Sequence, residues 1–148
     1  MQAFPDVGII DVIDLIIRDI IKLHFDIIII HVGTNNIWNY NLREIENNYN
    51  QLVTDVTCLA KRNAKIIVSA ILPRPVDFNQ TKIFVVAVNS LLRNLCLPRG
   101  ADFVATYKPF VKYGQPIFEL FSPLCGLHPN HKGNIKLTNF LVQVLAHS

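Results

Sequence analysis

Charged residues and cysteines are both scarce in this sequence, and each shortage excludes a class of protein. Charged residues make up 17% of the 148 residues and hydrophobic ones 51%, a balance that excludes a disordered chain. The three cysteines, Cys58, Cys96 and Cys125, have no short paired spacing, so a reducing compartment is expected rather than a disulfide framework. No apolar run is long enough to span a membrane, and the N-terminus lacks the basic segment of a signal peptide. These absences predict one cytoplasmic domain.

The positive charge is also too small to indicate a nucleic-acid partner by itself. The formal net charge is +3, and the basic residues are scattered along the chain. The densest group is Lys61, Arg62 and Lys65, which is typical of the end of a helix. Nucleic-acid binding is therefore not expected from the charge pattern.

Apolar periodicity predicts an alternation of helices and strands. Such an alternation indicates an α/β domain with a three-layer, doubly wound, flavodoxin-like parallel sheet. The order begins with a helix, whereas a doubly wound sheet normally begins with a strand, so we expect a single domain over residues 1–148 that lacks its first strand. A long irregular loop is expected at 107–124 and is more often functional than idle. The predicted helices are 7–24, 43–63, 81–95 and about 130–146, and the predicted strands are 27–32, 65–71 and 101–105.

The first candidate site follows a run of four isoleucines, Ile27 to Ile30. A short β-branched run of this kind predicts a strand that is buried on both faces. The turn Gly33-Thr34-Asn35-Asn36 follows, at the carboxyl end of the strand, where open α/β sheets bind their ligands. A side-chain amide there can donate a hydrogen bond to a developing oxyanion. The alternative is a plain strand-to-helix turn in which asparagine caps the helix.

The second candidate site is the stretch from Cys125 to Asn134, just before the last predicted helix. His128 is followed by Pro129, and a histidine at the rim of a sheet is a candidate general base. The alternative is an ordinary surface histidine. A metal site is also conceivable, because Cys125, His128 and His131 have the spacing C-x-x-H-x-x-H. Structural zinc commonly needs four ligands, and no second pair is evident, so no metal is expected.

Together these stretches resemble the SGNH hydrolases, the GDSL-type esterases and lipases. Gly33–Asn36 resembles the third conserved block of that family, and Cys125–His128 followed by Pro-Asn-x-x-Gly resembles the fifth. Phe4–Gly8 is similar to the second block. Ser69–Pro75 resembles the esterase-like domains of mobile-element proteins. The order and spacing of the blocks span nearly the whole chain.

The resemblance implies ester hydrolysis by acyl transfer without a cofactor. In the family a serine is the nucleophile, a glycine amide and an asparagine side chain bind the oxyanion, and a histidine is the base. By this resemblance Asn35 corresponds to the oxyanion asparagine, His128 to the base, and Gly8, on a looser local pattern, to the oxyanion glycine. Cys125 stands where the family has the aspartate that orients the histidine.

Two departures from the family pattern predict a protein that is inactive as written. No Gly-Asp-Ser block occurs in the sequence, and Cys125 offers a thiol in place of a carboxylate. Ser69 and Ser122 are the nearest alternatives as nucleophiles, but neither lies in a preformed nucleophile turn, so both are expected to be structural.

Three partner expectations follow. The pocket of an inactive esterase-like domain is expected to hold a small-molecule ester or a carbohydrate-type ligand. Alternatively, the chain is a non-catalytic ligand- or partner-binding module of a mobile-element-derived protein. Without a neighbouring strand, Ile27–Ile30 becomes an exposed apolar edge, so we also expect the purified chain to dimerise or aggregate. A monodisperse monomer would contradict that expectation.

Overall fold

The computed structural model describes residues 8–15 and 24–147, and the structural statements below refer to these residues. Three parallel strands form its main sheet, in the order β1 (Ile27–Ile30), β2 (Lys65–Ser69) and β3 (Asp102–Val104). Helices α2 (Leu42–Leu59) and α3 (Phe78–Cys96) connect them, α1 (Ile9–Leu15) precedes them and α4 (His131–Ala146) follows. The predicted α/β fold with a parallel sheet is therefore confirmed.

The predicted elements are present, but their ends differ because local hydrogen bonds decide them. Helix α2 begins at Leu42 because the Asn41 side chain accepts a hydrogen bond from the Glu44 amide at 2.9 Å and donates one to the Glu44 carboxylate at 2.6 Å. Strand β2 ends at Ser69, two residues before the predicted end. Of the predicted helix 7–24, residues 9–15 are helical, and residues 16–23 lie outside the described part.

One apolar core holds the helices to the sheet. Residues from α1, α2 and α3 pack together with one face of β1 and β2, including Ile30, Ile66 and Val68. A second, smaller cluster joins Phe110, Leu120 and Phe121 to Leu72, with Leu137 of α4 against it. This second cluster seats α4 and the loop that precedes it beside the carboxyl edge of the sheet.

The prediction that Ile27–Ile30 is buried on both faces is wrong. Ile30 is buried, whereas Ile27 and Ile29 are 47% and 41% exposed. Alternate side chains point to opposite faces of a strand, and α1–α3 pack against the face that carries Ile30. Within the described residues β1 is also an edge strand. Self-association through this edge stays a prediction.

The segment 107–124 is less irregular than the sequence suggested. It contains a small hairpin of β4 (Val111–Lys112) and β5 (Gln115–Pro116). Tyr113 and Gly114 have φ angles of +54° and +73°, the conformation of a two-residue turn between antiparallel strands. Tyr-Gly is a weaker signal than Asn-Gly, which is why the hairpin escaped prediction. Among the described helices, none has the length and apolar character needed to cross a membrane.

Candidate active site

The turn after β1 is shaped by one glycine and one tyrosine. Gly33 has a φ angle of +118°, and its carbonyl accepts a hydrogen bond from the Asn36 amide at 3.0 Å. The hydroxyl of the buried Tyr49, from α2, donates to the Val32 carbonyl at 2.5 Å, and burial raises the pKa of this phenol. Tyr49 therefore fixes this turn to α2.

The buried Asn36 joins this turn to the start of α1. Its Oδ1 accepts a hydrogen bond from the Ile9 amide at 3.1 Å, and it lies so close to Gly8 that a Cβ there would approach it to 3.0 Å. Asn35 is half-buried next to it. Gly8 and Asn35, which sequence reasoning put forward separately, thus belong to adjoining segments at the carboxyl edge of the sheet.

Arg74 holds the same turn from the other side. Its Nη1 donates to the carbonyl and hydroxyl oxygens of Thr34 at 2.5 and 3.0 Å, and its Nε and Nη2 each donate to Asp77 at 2.9 Å. Trp38 Nε1 also donates to Asp77, at 2.6 Å. We call Thr34, Arg74 and Asp77 the clamp, because together they link the turns after β1 and β2. The clamp was not predicted, since an arginine in Leu-Pro-Arg-Pro is typical of a surface loop.

The loop that carries His128 is fixed by its backbone. The Gly126 carbonyl accepts from the Val76 amide, and the His128 carbonyl accepts from the Ser122 amide, both at 2.8 Å. The Asn130 side chain caps α4 by accepting from the Gly133 amide at 2.9 Å. These contacts bring the half-buried His128 to the same edge as the turn after β1.

Cys125 contacts the backbone of His128. The His128 amide donates to Cys125 Sγ at 3.4 Å. Hydrogen bonds from the backbone amides of His128 and Leu127, and from the Ser122 hydroxyl, lower the pKa of the exposed thiol, although burial opposes this. The sulfur thus accepts hydrogen bonds from the backbone of its own loop.

A second histidine shares this edge and was not foreseen as a site residue. His31 Nδ1 lies 2.5 Å from the Oγ of the buried Ser69, whose hydroxyl is directed at the Ile30 carbonyl 3.3 Å away. The tautomer of His31 decides which of these two atoms donates the hydrogen bond. Ser69 thus contacts His31 at this edge, and its structural role stays a prediction.

His31 and His128 interact electrostatically. Although part of His31 remains open to solvent, burial lowers its pKa, and the positive charge of His128 lowers it further. In the described part of the chain, no three side chains converge as metal ligands, and His131 is exposed at the start of α4.

We predict that replacing His128 with alanine raises the pKa of His31, because one positive neighbour is removed. The value stays below that of a free histidine, since burial remains. The ring-proton shift of His31, followed by NMR against pH, measures this. Because folding lowers the pKa of His31, its contribution to stability is complete above the unfolded-state pKa and is lost as the pH falls below it.

His131→Ala is the matched control for that titration, because His131 is exposed and three residues from His128. We expect it to leave the pKa of His31 unchanged. Equal shifts in both variants, or none in His128→Ala, would show that the two histidines at the edge are not coupled.

Comparison with known proteins identifies the family of this chain. The sequence matches the family model described as "GDSL-like Lipase/Acylhydrolase family" over residues 10–134. The chain belongs to the GDSL-like lipase/acylhydrolase family. Comparison with curated protein sequences finds no match.

Solved structures of GDSL-type enzymes have a similar fold. A GDSL-like lipase from Bacteroides thetaiotaomicron superposes with a TM-score of 0.79 at 16% identity, covering 95% of this chain and 72% of that one. A catalytic mutant of an acetylxylan esterase from Geobacillus stearothermophilus superposes with a TM-score of 0.75 at 17% identity, covering 93% and 67%. At these identities the similarity concerns the fold of the GDSL-like domain.

Proposed function

We propose that this chain carries the oxyanion-binding and general-base half of a GDSL-type ester hydrolase site and does not by itself hydrolyse esters. In this proposal the Asn35 side chain and the Gly8 amide bind the oxyanion, and His128 is the base. Cys125 occupies the position of the orienting aspartate. The ligand is a small-molecule ester or a carbohydrate ester.

The observation that carries the proposal is the contact between Asn36 and the start of α1. The hydrogen bond from the Ile9 amide to Asn36 holds Gly8 next to the turn that contains Asn35. An oxyanion site needs donors from separate segments held rigidly at one point. The charge interaction between His128 and His31, four residues before Asn35, supports a base at the same edge.

Three features argue against turnover by this sequence. It contains no Gly-Asp-Ser, and the remaining serines near the edge are engaged. Ser69 is buried beneath His31, and Ser122 Oγ accepts a hydrogen bond from the Leu124 amide at 3.3 Å. A thiol at Cys125 cannot compensate the imidazolium as a carboxylate does. A site without its nucleophile retains only binding and oxyanion stabilisation.

A binding module is the second candidate, and one observation favours it. The loop around His128 keeps its backbone hydrogen bonds to Ser122 and Val76 and its helix cap although the acidic residue is absent. A loop that keeps its backbone hydrogen bonds without the orienting acid suits ligand or partner binding in a mobile-element-derived protein. The acetylxylan esterase among the structural relatives supports a carbohydrate ester as the ligand.

We predict that the chain releases p-nitrophenol from p-nitrophenyl acetate no faster than its His128→Ala variant, because no activated nucleophile attacks the ester. Initial rates at equal protein concentration measure this. A fluorophosphonate probe, followed by intact mass, is expected to leave the chain unmodified. His128-dependent turnover, or an adduct on Ser69 or Ser122, would contradict the proposal.

Ligand binding distinguishes both candidate functions from a domain of this fold that binds no ligand. We expect acetylated xylo-oligosaccharide to shift the NMR resonances of Asn35 and His128, and Asn35→Ala to weaken binding. The unacetylated oligosaccharide is the matched control, because it lacks the ester carbonyl that the oxyanion donors would contact. Equal binding of both sugars would contradict a role for Asn35 and Gly8 in recognising the ester.

A further inference from the structure

A groove lies along α3, between this helix and the segment from β3 to β4. It has two adjoining parts, of about 300 and 160 Å³, which share Val86 and Tyr107 as walls. We call the whole the α3 groove. It contains none of Gly8, Asn35 and His128, so it is separate from the candidate active site.

The two parts of the α3 groove differ in chemistry. The larger part is mostly apolar, with Phe78, Ile83 and Val111 beside the two shared walls. Ile83 and Val86 are 81% and 50% exposed, so this part of the groove is an apolar surface open to solvent. The smaller part is more polar and adds the side chains of Asn89, Ser90, Arg93 and Lys108.

The groove is positively charged. Among its described lining residues three are cationic, Lys82, Arg93 and Lys108, and none is acidic. Lys82 Nζ lies 5.8 Å from the centre of the Phe78 ring, and the Arg93 guanidinium lies 5.0 Å from that of Phe103. In the described part of the chain, the ion pairs involve other residues. An anionic group would therefore find uncompensated donors here.

The length of the groove limits the ligand. Lys82 and Arg93 lie on one side of α3, about 16 Å apart at the rise of an α-helix. That distance suits one extended alkyl chain of medium length. The larger, apolar part suits the chain, and the pair Arg93 and Lys108 in the smaller part suits one anionic head group.

We propose that the α3 groove binds a medium-chain fatty acid, with its alkyl chain in the larger part and its carboxylate between Arg93 and Lys108. The guanidinium of Arg93 and the ammonium of Lys108 form charge-assisted hydrogen bonds to the carboxylate. Val86 and Tyr107 contact the chain where the two parts meet. This site goes beyond the proposed function and does not depend on it.

Decanoate, kept below its micelle concentration, tests the proposal by isothermal titration calorimetry on the whole chain. We expect the double variant Arg93→Gln/Lys108→Gln to bind decanoate about 10-fold more weakly, the equivalent of one good charge-assisted contact. Decanol, which has the same chain and no charge, is expected to bind both proteins equally. Val86→Asp, at a half-exposed position that tolerates the change, is expected to weaken both ligands.

Lys82→Gln is the control, because it removes one positive charge from α3, the helix that also carries Arg93, at the apolar end of the groove. It is expected to leave decanoate binding unchanged. Loss of binding in Lys82→Gln equal to that in the double variant would overturn the proposal in favour of an acidic peptide with charges at both ends. No binding of decanoate by the unmodified chain, or binding that Val86→Asp does not change, would overturn it as well.

Discussion

Replacing Arg74 with alanine is expected to lower the free energy of unfolding by about 3–5 kcal/mol, because it leaves the largely buried Asp77 carboxylate without its cationic partner. Arg74 and Asp77 have side chains that are only 7% and 14% exposed, and the guanidinium also binds both oxygens of Thr34. A domain of this size is stable by only about 5–15 kcal/mol. Urea unfolding, followed by far-UV circular dichroism, measures the loss.

The chain offers a matched control in its exposed ion pair. Lys132 lies 3.4 Å from Glu119, and their side chains are 69% and 73% exposed. Such a pair contributes about 0–1 kcal/mol, so Lys132→Ala should change stability little. Arg74→Lys keeps the charge without the planar fork and should fall between the two. Similar small losses in Arg74→Ala and Lys132→Ala would show that burial does not strengthen the clamp.

The same clamp predicts the effect of acid. Burial by itself would raise the pKa of Asp77, but hydrogen bonds from Arg74 and Trp38, together with the charge of Arg74, hold it below its usual range. A carboxyl group whose pKa is lowered by folding stabilises the protein above its unfolded-state pKa and loses that contribution as the pH falls. Stability should therefore decline in acid, and less so in Arg74→Ala.

Gly33→Ala is expected to lower stability by about 3 kcal/mol, through backbone strain and overpacking together. The φ angle of +118° is disfavoured for any residue with a Cβ. A Cβ at Gly33 would also clash with Tyr49 Oη, which is held in place by its hydrogen bond to the Val32 carbonyl. The turn that presents Asn35 must shift, so ligand binding at the candidate active site should fall as well.

Gly100→Ala separates the two causes of that loss. Gly100 also has a positive φ, +75°, but a Cβ there meets no atom within 4 Å. It should cost only the strain, about 1 kcal/mol. The double variant Gly33→Ala/Tyr49→Phe removes the clashing oxygen and should lose less than the sum of the single changes. Equal losses at both glycines would contradict a steric role for Tyr49.

Much of the fold was accessible from local patterns. The runs of β-branched residues at Ile27–Ile30 and Lys65–Ser69 predicted β1 and β2, and apolar periodicity predicted α2 and α3. The ends of these elements were less predictable. The start of α2, for example, is set by the hydrogen bond from the Glu44 amide to the Asn41 side chain. The hairpin at Val111–Pro116 was missed because Tyr-Gly is a weak turn signal.

The candidate site was only half accessible from the sequence. The motifs around Asn35 and His128 are short polar stretches that follow predicted strands or precede a helix, so they could be found by pattern. His31 and Arg74 could not, because each acts through a contact with a residue about 40 positions away. Ser69 was identified as an alternative nucleophile, but its contact with His31 was not predictable. No local pattern distinguishes a buried clamp arginine from one in a surface loop.

The amino-acid sequence by itself determined the alternation of helices and strands, the family and the candidate oxyanion and base residues, since periodicity and short motifs are local properties. The tertiary structure decided which of these meet. It brought Gly8 to the turn of Asn35 through Asn36, coupled His31 to His128, buried Arg74 and left Ile27 and Ile29 exposed. The physical reason is that burial, clash and charge interaction depend on distances between segments far apart in the chain, and only packing sets those distances.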